Sequence, residues 1–370
     1  MKKLFLILAL IASFSLEAQF VTTFAKNVPE SQEDGMFYYL PRNIIKIEFT
    51  VEQTDYYIGP YAEFASKMMS NLDVIKETKT DYVIKNVDIQ MACNADPNAV
   101  YFVSSDEKSK DPLPSLILDS DGVILALGYD SIPSKSRINR NQFTYTESET
   151  PVKQSITFIE VLDNDIEIDD DDDDDKKGSS APKITKEDKA KAAVEKIANI
   201  RNAYLELVSG SNEVAFGNST SYMAESLQNI ENEYISLFKG KSVKNVYKKV
   251  YYFTPEKNNL NASVSIAKLS YTDGLVDMSG RGEVIKIQFE GKNSLANIKA
   301  MSNDTKTSSQ INKIFYRIPA ETNVKIMLGN NVLTEKLLSI NQFGDVRAVS
   351  VKNNKILFNP NTGQIISILK

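Results

Sequence analysis

Seven consecutive aspartates, Asp169 to Asp175, set the first constraint on how this 370-residue chain folds. Like charges at that density repel one another and have no place in an apolar core, so the run must stay in water. Asp163, Asp165 and Glu167 precede it and a Lys, Gly, Ser and Pro segment follows, so residues 163–182 read as an extended, disordered linker. The functional alternative is a calcium loop, but the run lacks the glycine and terminal glutamate that shape one. The linker leaves three stretches to build apolar cores: 19–162, 183–240 and 241–370.

The same run dominates the charge. The formal net charge is −6, yet setting aside Lys2, Lys3, Glu17 and the ten acidic residues from Asp163 to Asp175 leaves 41 basic against 38 acidic residues. The folded parts are close to neutral, and nothing points to a nucleic-acid partner.

The N-terminus carries the three parts of a cleavable signal peptide over residues 1–18. Lys2 and Lys3 are the basic segment, Leu4 to Leu16 the apolar segment, and Ala18 the small residue before a new N-terminus at Gln19. The apolar segment is shorter than the roughly 20 residues of a membrane span, and later apolar runs are all broken by charge. Cys93 is the only cysteine and lies far from the leader, so no lipid-bearing cysteine follows it. The expectation is an exported protein, periplasmic or outer-membrane-associated, with no anchor of its own. A lone cysteine also excludes a disulfide-stapled scaffold, and Cys93 reads as a small, half-buried hydrophobe.

Before the linker the pattern is mostly strand. Ile45, Ile47, Phe49 and Val51 alternate with polar residues, as in a half-buried strand. Gly59-Pro60 starts a short helix that turns Phe64, Met68 and Met69 to the core. Val83, Val87, Ile89 and Met91 mark another strand, then Val100 to Val103. LILDSDGVILAL is a hairpin turning at Asp121-Gly122. After the linker, Ala190, Ala193, Val194, Ile197, Ile200, Tyr204, Leu207 and Val208 recur at helical spacing. Thr185 with Asp188 forms a capping box at the start, and Gly210 suits the stop. A second helix opens at Ser219-Thr220-Ser221 and stops at Gly240. Its stripe is Met223, Leu227, Ile230, Tyr234, Leu237 and Phe238, and both stripes read as core-facing. Residues 243–370 return to strands, with Ile285, Ile287 and Phe289 in alternation. KIFYRIPAETNVKIML reads as two strands around Pro319, and Gly363 turns a closing hairpin. FYYLPRNIIKI (37–47) echoes FYRIPAETNVKI (315–326), which we read as two strands that each stop at a proline, since proline cannot donate to a ladder. The fold class is α+β, predominantly antiparallel β in two β-rich parts with a helical hairpin between them.

Chemistry is sparsely provided for. The chain has no histidine, which removes the commonest general base, the Ser-His and Cys-His pairs and the commonest metal ligand. One cysteine leaves zinc almost without ligands, and no phosphate-cradling glycine loop is present. No catalytic, cofactor-binding or metal-binding residue is assigned. Carboxylate chemistry of the glycosidase kind stays open, because pairing in space is not legible from spacing. Tyrosines cluster at Tyr38/Tyr39, Tyr56/Tyr57/Tyr61 and Tyr247/Tyr251/Tyr252. With no tryptophan for a sugar platform, they are read as strand residues. Acceptor triplets for N-glycosylation fall at Asn218, Asn261 and Asn303.

YYLPRNIIKIEFTVEQT, YYIGPYAEFASK, DPNAVYFV, IANIRNAYLELVSGS, IENEYISLFKGK, KIFYRIPAETNVKI and INQFGDVRAV, in this order between Phe37 and Val349, resemble the exported Bacteroidota family catalogued as domain of unknown function 4831. The acidic run is not part of that pattern. The resemblance implies an envelope-exported protein of unassigned activity and no catalytic residues to carry over. Asp130-Ser131-Ile132 looks like the acceptor triplet for O-glycosylation in that phylum, which makes Ser131 a candidate modification site. The function expected is a non-enzymatic binding or scaffold protein with an envelope protein partner, the helical hairpin being its docking element. The alternative is a carboxylate-dependent glycan hydrolase.

Overall fold

A computed structural model describes residues 20–28, 30, 34–105, 113–133, 138–162, 184–209, 219–292, 310–351 and 354–370. The leader, its cleavage residues Ala18 and Gln19, and the linker 163–182 lie outside the described residues, as do Asn218 and Asn303. The fold is α+β: among the described residues, three antiparallel sheets, with a packed pair of helices between β-rich regions.

The strands in chain order are β1 (Phe20–Phe24), β2 (Met36–Tyr57), β3 (Lys79–Ser105), β4 (Leu116–Leu118), β5 (Ile124–Leu127), β6 (Lys241–Phe253), β7 (Ser263–Ser270), β8 (Gly274–Val276), β9 (Glu283–Gly291), β10 (Gln310–Ile311), β11 (Lys313–Leu328), β12 (Asn331–Ser350), β13 (Lys355–Phe358) and β14 (Ile365–Leu369). The helices are α1 (Ala65–Met68), α2 (Lys186–Ser209) and α3 (Thr220–Lys239). One sheet runs β10-β1-β3-β2-β6, a second β12-β11-β9-β7-β8 and a third β14-β13-β5-β4.

The period-2 residues do what their spacing dictates. Ile45, Ile47, Phe49 and Val51 of β2 meet Ile285, Ile287 and Phe289 of β9, with Val324 and Ile326 of β11, in a core between the first two sheets. A second core gathers Tyr38, Leu40, Tyr101, Ile124, Leu127, Phe315, Ile356 and Phe358, where all three sheets meet. Tyr101 stacks between Tyr38 and Phe315, with ring centroids 5.6 and 4.4 Å away. Gly122 and Gly363 take positive φ in the turns after β4 and β13, as the two hairpin readings require.

Strands from both sides of the acidic run share sheets. β6 pairs with β2 from Ile45↔Phe253 to Tyr57↔Lys241, β13 pairs with β5, and β1 pairs with β10. Neither core closes without residues from both ends of the chain.

The two prolines of the internal echo do not stop their strands, contrary to the sequence reading. β2 runs unbroken through Pro41 and β11 through Pro319. The reason is a matched pair of bulges. Tyr39 faces Val100 and Pro41 faces Ala95, while Ile318 faces Asp345 and Ala320 faces Ile340. Each return strand thus carries three residues beyond a regular ladder, so the proline is excused from donating. Gly344 sits in the second bulge where the strands nearly touch: a Cβ there would lie 1.8 Å from the Ile318 carbonyl oxygen. The bulges also bond crosswise. Asp96, from the β3 bulge, takes the Arg317 guanidinium beside Pro319 at 2.9 Å. Asn341 and Gln342, from the β12 bulge, bond to Asn43 beside Pro41 at 2.7–3.0 Å. A smaller bulge in β3 explains why Val83 is exposed although Val87 is buried. The ladder slips between Thr50↔Asn86 and Val51↔Ile84, and inward and outward positions exchange.

Candidate binding cleft on the helical hairpin

Among the described residues the α2–α3 hairpin is held at one end, by the start of α2 and the end of α3. At the start of α2 the capping box forms as its residues imply: the Asp188 N–H donates to Thr185 Oγ1 at 3.2 Å and the Thr185 N–H donates to Asp188 Oδ2 at 3.0 Å. Lys186 pairs with Glu63 and Lys67 with Glu187, tying this first turn to the short helical segment at Ala62–Met68. At the other chain end of the hairpin, α3 stops at Gly240, whose φ of 89° lets it turn directly into β6. The Tyr61 N–H donates to the Leu237 carbonyl, and the Ile75 N–H to that of Lys239. Around these contacts Ala190, Ala193, Ile197, Ile200, Tyr234, Leu237 and Phe238 pack with Tyr61, Ala65 and Val161 in a core of their own.

Two turns further out the stripes run past that core. The sequence reading makes Met223, Leu227 and Ile230 core-facing, but Met223 and Leu227 are half-buried and Ile230 is 44% exposed. Val208 on α2 is likewise 59% exposed, and Leu205 beside it 63%. The physical reason is length. Both helices outrun the segments at 61–74 and 158–161 that cover their inner halves. Between them opens a cleft of about 430 Å³, lined by Ala203 and Leu207 of α2 and by Tyr222, Met223, Leu227 and Ile230 of α3. Small residues, Ala203 and Ser226, leave the space between the helices unfilled, and Tyr222 stands 74% exposed at the mouth. Among the described residues Glu206 is the one carboxylate in the lining.

The other residues singled out by sequence are scattered over the fold. Ser131 is exposed in the turn after β5, and Asn261 is exposed at a φ of 57°. Tyr38 and Tyr247 are buried, and Tyr252 is half-buried against Tyr145. Asp119 and Asp121, the carboxylates of the β4–β5 turn, are both paired with Arg140. Among the described residues no group of three or more Cys, Asp and Glu side chains is arranged to hold a metal ion, and no helix is long and apolar enough to cross a membrane. Cys93 lies in β3, fully buried with its thiol 3.4 Å from the Pro360 carbonyl, and burial pushes that thiol up to about 12. At neutral pH it is a packed thiol, not a thiolate nucleophile. Ellman's reagent is expected to label no thiol in the native protein and one thiol per chain in denaturant. Rapid labelling of the native state would show that Cys93 is accessible.

From residue 34 to residue 366 the sequence matches the family described as a domain of unknown function, DUF4831. The chain belongs to that family. The DUF4831 match runs from the residue before Gly35, at the entry to β2, into β14, so it takes in both proline-bulged hairpins, the helical pair and every strand except β1 and the end of β14. No curated protein and no solved structure matches the chain.

Proposed function

We propose that this protein is an exported, non-enzymatic binding or scaffold protein of the cell envelope, periplasmic or outer-membrane-associated, and that the α2–α3 hairpin is its docking element. The observation that carries the reading is the open apolar cleft at the outer end of the hairpin, where Tyr222 and Ile230 stand exposed and Met223 and Leu227 only half-covered. Exposed apolar surface gathered in one place is a mark of a contact site, whereas single exposed side chains are ordinary. Export is supported by the leader features at Lys2, Lys3, Leu4–Leu16 and Ala18. The hydrolase alternative finds less support, since a glycosidase brings two carboxyl groups to about 5–10 Å of each other across a cleft. Among the described residues only Glu206 lines this one.

A photo-crosslinking residue placed at Tyr222 of the full chain tests the reading in intact cells. The expected result is one discrete adduct in the envelope fraction, absent when the same group replaces Lys257, exposed on a distant turn. A protein that fractionates as a free monomer and gives no adduct from position 222 overturns it.

A further inference from the structure

The geometry points to a partner of defined chemistry for this cleft: an amphipathic α-helix of another protein, apolar along one face and flanked by Lys or Arg. The inference rests on the docking reading above and adds the identity of the occupant to it. Three observations select a helix with basic flanks.

The first is shape. Tyr222, Met223, Ser226, Leu227 and Ile230 recur at one, three and four residues along α3, and Ala203 and Leu207 face them from α2. From Tyr222 to Ile230 the lining extends about 12 Å along the axis, a little over two helical turns. Two helices set side by side with small residues between them offer a trough to a third, read by apolar side chains at i, i+3, i+4 and i+7. The second is charge. No Lys or Arg occurs from Asn202 to Ser209 or from Ser219 to Asn232, so the walls and mouth of the cleft carry only acids. Arg201, just below it, is already paired with Glu231 at 2.6 Å. Among the described residues neither Glu206, in the lining, nor Glu225, next to Ser226, has an ion-pair partner. Acids rimming an apolar trough favour a helix whose flanks are basic and repel one whose flanks are acidic. The third is the contrast with the anchored end, where Lys186–Glu63 and Lys67–Glu187 close the equivalent charges within the chain. At the cleft, Glu206 and Glu225 have no such partner among the described residues.

The test uses the full chain and two synthetic helical peptides of about 18 residues with the same leucine face, one flanked by lysines and one by glutamates. Fluorescence anisotropy is expected to show saturable binding of the lysine peptide, at least about tenfold tighter than the glutamate peptide. In the E206Q/E225Q double variant that preference should collapse to less than about twofold, while Met223→Lys should remove binding of both peptides. Equal binding of the two peptides by the unaltered chain overturns the charge assignment. So does binding of a fluorescent fatty acid with neither peptide bound, which makes the cleft an acyl-chain site. Self-association of the chain through the cleft, lost in the Tyr222→Lys variant by sedimentation, overturns it in favour of a second copy. If neither peptide binds but crosslinking from position 222 still yields a protein adduct, the basic-helix inference falls and the docking reading stands. If both fail, both fall.

Discussion

Replacing Arg317 by methionine is expected to lower the unfolding free energy by about 3–5 kcal/mol, read from urea midpoints at pH 7. Arg317 and Asp96 are both buried, and their contact at 2.9 Å links the β11 strand to the β3 bulge. The other guanidinium arm donates to the Pro41 carbonyl at 2.7 Å. Removing the arginine strands a buried carboxylate whose remaining donor is the Asn98 N–H. It also leaves a buried carbonyl without its partner, and loss of a partner costs far more than absence of the pair. The R317M/D96N double variant should therefore recover most of the loss. A single-variant cost below about 1 kcal/mol would show that water reaches the pair and that the bulges are not a sealed junction.

Alkaline pH is the second large lever. Tyr38 is buried and held well above its ordinary value, chiefly by the loss of water around it. Burial likewise pushes Tyr101 and Tyr251 up to about 12. For each, the folded value lies above the unfolded one, so its contribution is fully present below the unfolded value of about 10. It is lost as pH rises through the window from about 10 to 12. Cooperative unfolding is expected in that window, with phenolate absorbance rising in step with loss of the sheet signal. Titration of all tyrosines near pH 10 with the sheets intact would contradict this. Two variants separate the causes. The Tyr101 hydroxyl is buried with no partner, so Tyr101→Phe should keep neutral-pH stability and move the alkaline midpoint upward. The Tyr38 hydroxyl accepts from the Phe315 N–H at 2.9 Å and donates to the Phe315 carbonyl, so Tyr38→Phe should cost about 1–3 kcal/mol at pH 7.

Much of the local structure was legible because local rules decide it. Ile45 to Val51 is inward at every second residue, Thr185 and Asp188 cap α2, and Gly122, Gly240 and Gly363 turn the chain where the apolar runs end. Rules of this kind act over a few residues. Pro41 and Pro319 break them because the ladder is repaired from the opposite strand, where the four residues 96–99 and the four residues 341–344 each face a single residue, an excess of three that no spacing near the proline reveals. The inversion at Val83 has the same origin, a slip at Asn86 that changes parity for all that precedes it. Met223, Leu227 and Ile230 show a different failure. A stripe states which face is apolar but not how far along the helix a cover reaches, and that depends on the length of the neighbouring layer. The cleft, which is what the stripe becomes when its cover runs out, was to that extent hidden.

The strands that cross between the cores also set a clock on biosynthesis. The Phe20 N–H finds the Asn312 side chain 292 residues later, and the Tyr38 hydroxyl finds Phe315 277 residues later. At about 5–20 residues per second, the ribosome takes roughly 15–60 s to supply those partners. Over that interval β1, β2 and β3 have apolar faces and open edges but no complete sheet, a state prone to pair with neighbouring chains. The newly made protein must therefore be kept from folding or aggregating until its last hairpins emerge, and its yield in cells should depend on whatever holds it meanwhile.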